Sequence, residues 1–224
     1  MDKNKAVILE KRVSKVIENL QKNNMLAFYV QSKEEVISKI KKLIKEGDTV
    51  GVGGSATLSE CGVLALLRNG KYNFLDRYKE GLSREEIHNI FIQSFAADAY
   101  LCSSNAITEN GELYNVDGNS NRVAAILYGP KSVIMIAGIN KIVKDIDEAV
   151  VRVKKLAAPA NCSRLGSNTY CNAKGECQAF LLENPNMTSG CESPARICCN
   201  YVVSAKQRHK DRIKVIIVGE ELGY

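Results

Sequence analysis

The 224-residue sequence predicts an α/β fold with a mostly parallel sheet covered by helices on both faces. Three observations predict it. Apolar runs of strand length alternate with segments of helical period for roughly the first 160 residues. The run "KSVIMIAG" is apolar at nearly every position, as a strand buried on two faces must be. Capping boxes and glycine stops punctuate the chain where this alternation needs them.

In chain order, Leu9, Val13, Val16, Ile17 and Leu20 recur at helical spacing, and "LAFYV" (26–30) follows as a short strand. "SKEE" (32–35) reads as a capping box before an apolar stripe of Val36, Ile37, Ile40, Leu43 and Ile44, which Gly47 ends. "DTVGVGG" is the next strand and its turn, and Thr57 with Glu60 makes a second box for a helix through about Leu67. After a short strand at "YNFLD", Ser83 and Glu86 box a helix that buries Ile87, Ile90, Phe91 and Phe95. "ADAYLCS" reads as a strand, "AITENGELYNV" as a hairpin turning at Asn110-Gly111, and "SNRVAAILYGP" as a helix closed by Gly129 and Pro130. "KSVIMIAG" follows, Asp145 with Glu148 starts a helix expected to stop before Pro159, and "RIKVIIVGEELGY" returns as a strand. The organisation is one domain over 1–224, with an N-terminal helical segment (1–45) and a cysteine-rich insertion (160–200) that lacks apolar periodicity.

Composition narrows the function classes. The longest apolar run, "VIMIAGI", is far short of the roughly 20 residues of a membrane span. The charged N-terminus lacks the apolar core of a secretory signal, so the expected compartment is the cytoplasm. The formal charge of +6 matches the surplus of residues 1–45, where eleven Lys or Arg face five Asp or Glu. Those lysines belong to the polar faces of amphipathic helices with few aromatics nearby, which argues for a solvated surface and against nucleic acid.

Two loops carry the candidate chemistry. "TVGVGGSATLSECG" (49–62) places glycines and hydroxyls at the carboxyl end of a strand, where open parallel sheets collect ligands. Glycines there allow close approach of the backbone to an anion, and the following helix start favours a phosphate or carboxylate; a plain tight turn is the alternative. The stretch matches neither the P-loop nor the dinucleotide-binding glycine pattern. "SSNAITENGELYNVDGNSNR" (103–122) is denser in polar side chains than a hairpin requires. Glu109 or Asp117 could serve as general acid or base there, with Asn105 and Arg122 as ligand contacts, while turn and cap chemistry accounts for the same asparagines. His88 and His209 lie in charged surroundings, and Cys61 reads as a packed thiol rather than a nucleophile.

Six of the eight cysteines fall between 162 and 199. A 40-residue irregular loop needs a staple, and Cys171, Cys177, Cys191 and Cys198 offer four thiolates for Zn2+ or an iron–sulfur cluster. Their spacing, C-x5-C-x13-C-x6-C, matches neither zinc ribbons nor ferredoxins, and free thiols or an adventitious disulfide are the alternatives.

"VGVGGSATLSECG", "ADAYLCSSNAITENGELYNVDGNSNRVAAILYGPKSVIMIAGINKIV" and "RIKVIIVGEELGY" resemble the LUD domain, the family of lactate utilisation protein C, across essentially the whole chain. The resemblance implies a three-layer α/β/α fold similar to the NagB/RpiA/CoA-transferase group, in which glycine loops hold sugar phosphates, folates or coenzyme A, and so implies Gly53, Gly54, Ser55 and Thr57 as anion contacts. It also implies a part in L-lactate oxidation beside iron–sulfur redox subunits. Three function classes stay open: a LUD-domain protein binding a small anionic ligand, an isomerase or transferase acting on a phosphosugar or acyl-CoA, and a metal-binding sensor or scaffold. A homo-oligomer is compatible with each.

Overall fold

A computed structural model describes residues 2–224. Helix α1 (Lys3–Lys22) is capped by the Asp2 carboxylate and buries Val13, Val16 and Leu20. It leads into β1 (Leu26–Val30), α2 (Glu34–Lys41) and β2 (Thr49–Val52). The chain continues through α3 (Ala56–Glu60), α4 (Val63–Leu67), β3 (Asn73–Phe74), α5 (Arg84–Ser94) and β4 (Ala99–Cys102). A hairpin of β5 (Ala106–Thr108) and β6 (Leu113–Asp117) precedes α6 (Asn121–Leu127), β7 (Ser132–Gly138) and the short β8 (Ile142–Val143). Helices α7 (Ile146–Arg152), α8 (Ala158–Leu165) and α9 (Tyr170–Lys174) come next, and β9 (Asn200–Ser204) and β10 (Ile213–Val218) finish the chain.

Six strands form one sheet in the order β1-β10-β7-β4-β2-β3, and every pairing is parallel. Side-chain alternation feeds two cores from the same strands. Val133, Met135 and Ala137 of β7 join Val13, Val16, Leu20 and Ile126 on one face; Ile134 and Ile136 join Val36, Ile40, Leu58 and Leu67 on the other. That is the α/β/α layering expected from the alternation. A second sheet, β8-β5-β6-β9, carries the hairpin and packs a smaller core around Ala149, Val153 and Ala157. The Asn110-Gly111 turn forms as expected, with Gly111 at φ +77° and pressed against the backbone of α1 at Asn19.

Several local expectations are corrected. Of the four boxes, only Ser83 with Glu86 closes reciprocally around the N-cap residue. Lys33 takes the cap position of α2 because the Glu220 carboxylate accepts its N–H. Ser55 caps α3, since the Thr57 hydroxyl is drawn inward, and Gly62 at φ +69° divides the expected helix in two. Asp145 does cap α7, but the helix does not stop at Pro159. A π-helical turn, Val153–Ala157, intervenes, and Pro159 falls in the first turn of α8, where a missing N–H costs little. The edge strands β8 and β9 were not foreseen: two and five residues between turns carry too little period to read. Among the described residues no helix is long and apolar enough to cross a membrane.

Candidate functional site

The chain runs from β2 outward to β3 and then returns to β4 on the other side of β2, which makes the carboxyl ends of β2 and β4 a topological switch point. A cavity of about 450 Å³ opens there. Gly54 and Ser55, Ser103 to Asn105, Asp117 to Asn119 and the helix residues Asn161 and Arg164 line it. Its size suits a metabolite.

Arg122 is the hub of the strand-built side. Its Nη1 donates to Ser103 O at 3.0 Å and Asn115 Oδ1 at 2.8 Å, and its Nη2 to Asn105 Oδ1 at 2.9 Å and Val116 O at 2.7 Å. Nε lies 3.4 Å from Asp117 Oδ2. Four hydrogen bonds and the ion pair thus hold the guanidinium within the protein, and Arg122 shapes the cavity rather than clamping a ligand. Its aliphatic stem also explains Gly53, where an added Cβ would come within 3.1 Å of both Arg122 and Cys102. At Gly54 the nearest atom would be 3.8 Å away, so that glycine faces open space. Asp117 is similarly engaged, its Oδ1 accepting the N–H groups of Asn119 and Ser120 at 3.1 Å each.

Beneath this layer lies Lys141, three residues past the carboxyl end of β7 and 3% exposed. Its Nζ donates to Thr57 Oγ1 at 2.9 Å and to Ser103 Oγ at 3.0 Å, and among the described residues no carboxylate pairs with it. Burial, then the Arg152 and Arg122 guanidiniums, pull its pKa down to about 7. Arg152 donates to Asn140 O and Asn105 O, and its Nη2 is buried without a partner.

Charge distinguishes the site. Among the described residues Arg77, Arg122, Lys141, Arg164 and Arg196 line the cavity against one side-chain carboxylate, Asp117. Arg77 stacks on Phe91 at 4.6 Å, which orients its guanidinium without using its N–H groups. Arg164 shares only Asn161 Oδ1. These two retain donors for a ligand.

The opposite wall comes from the cysteine-rich segment, which contributes Pro194 to Cys198. Its staple is a guanidinium. Arg196 donates to Cys198 O at 2.9 Å, Cys191 O at 3.1 Å, Thr188 O at 2.7 Å and Tyr201 Oη at 2.9 Å. Gly190 lets that plane lie flat, since a Cβ there would be 3.0 Å from Arg196 Cζ. Among the described residues no group of three or more His, Cys, Asp or Glu side chains is arranged to hold a metal ion, so Cys171, Cys177, Cys191 and Cys198 do not assemble the expected tetrahedral set. Instead Cys171 Sγ sits 3.5 Å from Cys162 Sγ, and all eight thiols are free. Burial pushes Cys162 and Cys61 up to about 11, which keeps both as neutral thiols.

Of the residues singled out from sequence, the cavity brings together Gly54, Ser55, Asn105, Asp117, Arg122 and Cys198. Thr57 lies below it, holding Lys141, and Gly53 lies behind it. Glu109 is elsewhere: Arg12 Nε at 2.7 Å and Lys15 Nζ at 2.9 Å tie it to α1, and those bonds hold its carboxyl below the usual range. His88 and His209 are exposed. Sequence reasoning missed Lys141, Arg77 and Arg164. The rule that ligands gather at strand ends would have flagged the lysine of "GINK"; nothing in the sequence marks the two arginines.

A search of functionally curated proteins finds no match. The crystal structure of a DUF162 family protein from Deinococcus radiodurans superposes with a TM-score of 0.52 at 16% identity, covering 94% of this chain and 98% of that one. Two partial likenesses from Chaetomium thermophilum cover 51% of this chain each: eIF2B beta (16% identity, 40% of that chain, TM-score 0.36) and eIF2B delta (21%, 49%, TM-score 0.35). The LUD domain model matches residues 13–218, nearly the whole chain. With its parallel sheet and its loops at the ends of β2 and β4, the chain belongs to the LUD domain family.

Proposed function

We propose that this LUD-domain protein binds a small anion in the crevice between β2 and β4. The observation that carries the reading is the cation excess: among the described residues four guanidiniums, with Lys141 beneath them, and one side-chain carboxylate line a cavity of metabolite size. Arg77 and Arg164 are the cations with donors left to meet the ligand, and the Gly54-Ser55 backbone and Asn105 side chain fix its orientation. The family resemblance supports a hydroxy- or oxo-carboxylate ligand from L-lactate oxidation, with iron–sulfur subunits as redox partners and the cytoplasm as the compartment. A phosphosugar or acyl-CoA would satisfy the same charge balance and is the second reading.

The test is a thermal-shift panel of L-lactate, pyruvate, oxalate, inorganic phosphate, a sugar phosphate and coenzyme A. Stabilisation by the carboxylates, lost in Arg77→Ala and Ser55→Ala, supports the first reading. Stabilisation by the phosphorylated compounds alone moves the protein to the second, and no shift with any anion removes both.

A further inference from the structure

We infer that Lys141 is a nucleophilic amine that forms an imine with a carbonyl compound bearing a carboxylate or phosphate, held in the same crevice. The inference rests on the anion-binding reading and adds the reaction class to it.

The argument begins with valence. A neutral amine has two N–H groups and one lone pair, whereas an ammonium has three N–H groups. Around Lys141 Nζ there are two acceptors, Thr57 Oγ1 at 2.9 Å and Ser103 Oγ at 3.0 Å. Both hydroxyls already commit their own protons, Thr57 to Leu222 O and Ser103 to Ser104 O, so each offers Nζ a lone pair and no proton. Two donated bonds use up the neutral amine and leave its lone pair for the cavity that the residue lines. An ammonium there would lack a third acceptor and would have no carboxylate partner among the described residues.

The surrounding charges act in the same direction. Arg152 and Arg122 disfavour a third positive charge; Glu60 and Cys61 act weakly the other way, and the buried Cys102 thiol, pushed up to about 12, stays neutral. Desolvation is the largest cause that lowers the lysine to about 7. Buried lysines of this kind are suited to carbonyl chemistry. The remaining cations, Arg77 and Arg164, are placed to hold the anionic end of the same molecule.

The step balances without any redox partner. Nζ attacks the carbonyl carbon and a C–N bond forms as the C–O π bond breaks. The carbonyl oxygen takes up the two protons that Nζ gives up and leaves as water, while the Thr57 and Ser103 hydroxyl oxygens hold the amine in place as acceptors. One imine and one water result from one amine and one carbonyl.

The experiment incubates the full chain with glyoxylate, and separately with glycolaldehyde phosphate, in the presence of cyanoborohydride. Intact mass is followed by peptide mapping. The expected result is a single adduct, one ligand mass less one oxygen, on the peptide carrying Lys141. Which probe reacts faster distinguishes a carboxylate from a phosphate ligand. Lys141→Arg, checked for native circular dichroism, abolishes the adduct, and Thr57→Val slows its formation at least several-fold, whereas Lys144→Arg on the surface leaves it unchanged. Modification spread over surface lysines, or no adduct in wild type, overturns the inference. If wild type gives no adduct yet still binds inorganic phosphate, the imine fails and the anion site stands; if neither occurs, both fail.

Discussion

The two walls of the crevice are built by different means. The β2–β4 wall hangs from main-chain hydrogen bonds: Gly53 N–H donates to Leu101 O at 2.9 Å, and the parallel register of β2, β4 and β7 fixes where the loops leave the sheet. The 160–198 wall has no ladder to hang from. It is held by side chains that reach carbonyls, with Arg196 gathering three backbone carbonyls and a tyrosine hydroxyl, and Asn186 Oδ1 accepting from the backbone and hydroxyl groups of both Thr188 and Ser189. A wall made from a sheet fails only when the fold fails. A wall made from polar side chains is able to open by itself, because each of its bonds can be exchanged for water.

Four experiments break or sharpen this contrast. Arg122→Ala carries the largest expected effect: it strands the buried Asn115 and leaves Asp117 without its cation, costing about 3–5 kcal/mol of global stability in denaturant titration. Arg196→Ala should cost about 2 kcal/mol, and its signature is location. Limited proteolysis should cut within residues 180–199 well before the sheet unfolds. Gly53→Ala is expected to cost about 1–3 kcal/mol through contact with Arg122 and Cys102, while Gly54→Ala stays within about 0.5 kcal/mol. The last is a slope. Lys141 has a folded-state pKa near 7 against an ordinary 10.5, so between those values the unfolded chain binds the extra proton. Its penalty is full below pH 7 and is relieved as pH rises toward 10.5. Lys141→Met should flatten that part of the stability–pH curve relative to wild type.

The same division decided what the sequence disclosed. β7 and β10, buried on both faces, announce themselves by composition, and the Asn110-Gly111 turn by its demand for positive φ. The glycine loop was located correctly at a strand end, yet Gly53 answers to the Arg122 stem packed over it, a contact between residues 69 positions apart that no local pattern records. Glu109 and Asp117 sit in one polar stretch of sequence, but the hairpin sends the first to α1 and the second to the cavity. Cysteine spacing drew the eye to the thiols, while the bonds that Arg196 makes across the same segment could not be read, because an arginine's partners are carbonyls and carbonyls leave no mark in a sequence. For Lys141 only its place just past a strand end was legible in "GINK"; its surroundings come from Thr57 and Ser103, which arrive from two other strand ends.

The most direct test of the cationic crevice is calorimetric titration of inorganic phosphate into wild type and into the Arg77→Ala/Arg164→Ala double variant, at low and high ionic strength. The expected result is one site per chain, weakened about tenfold or more in the double variant and weakened in wild type by added salt. Equal binding by the two proteins, or binding indifferent to salt, would contradict the account.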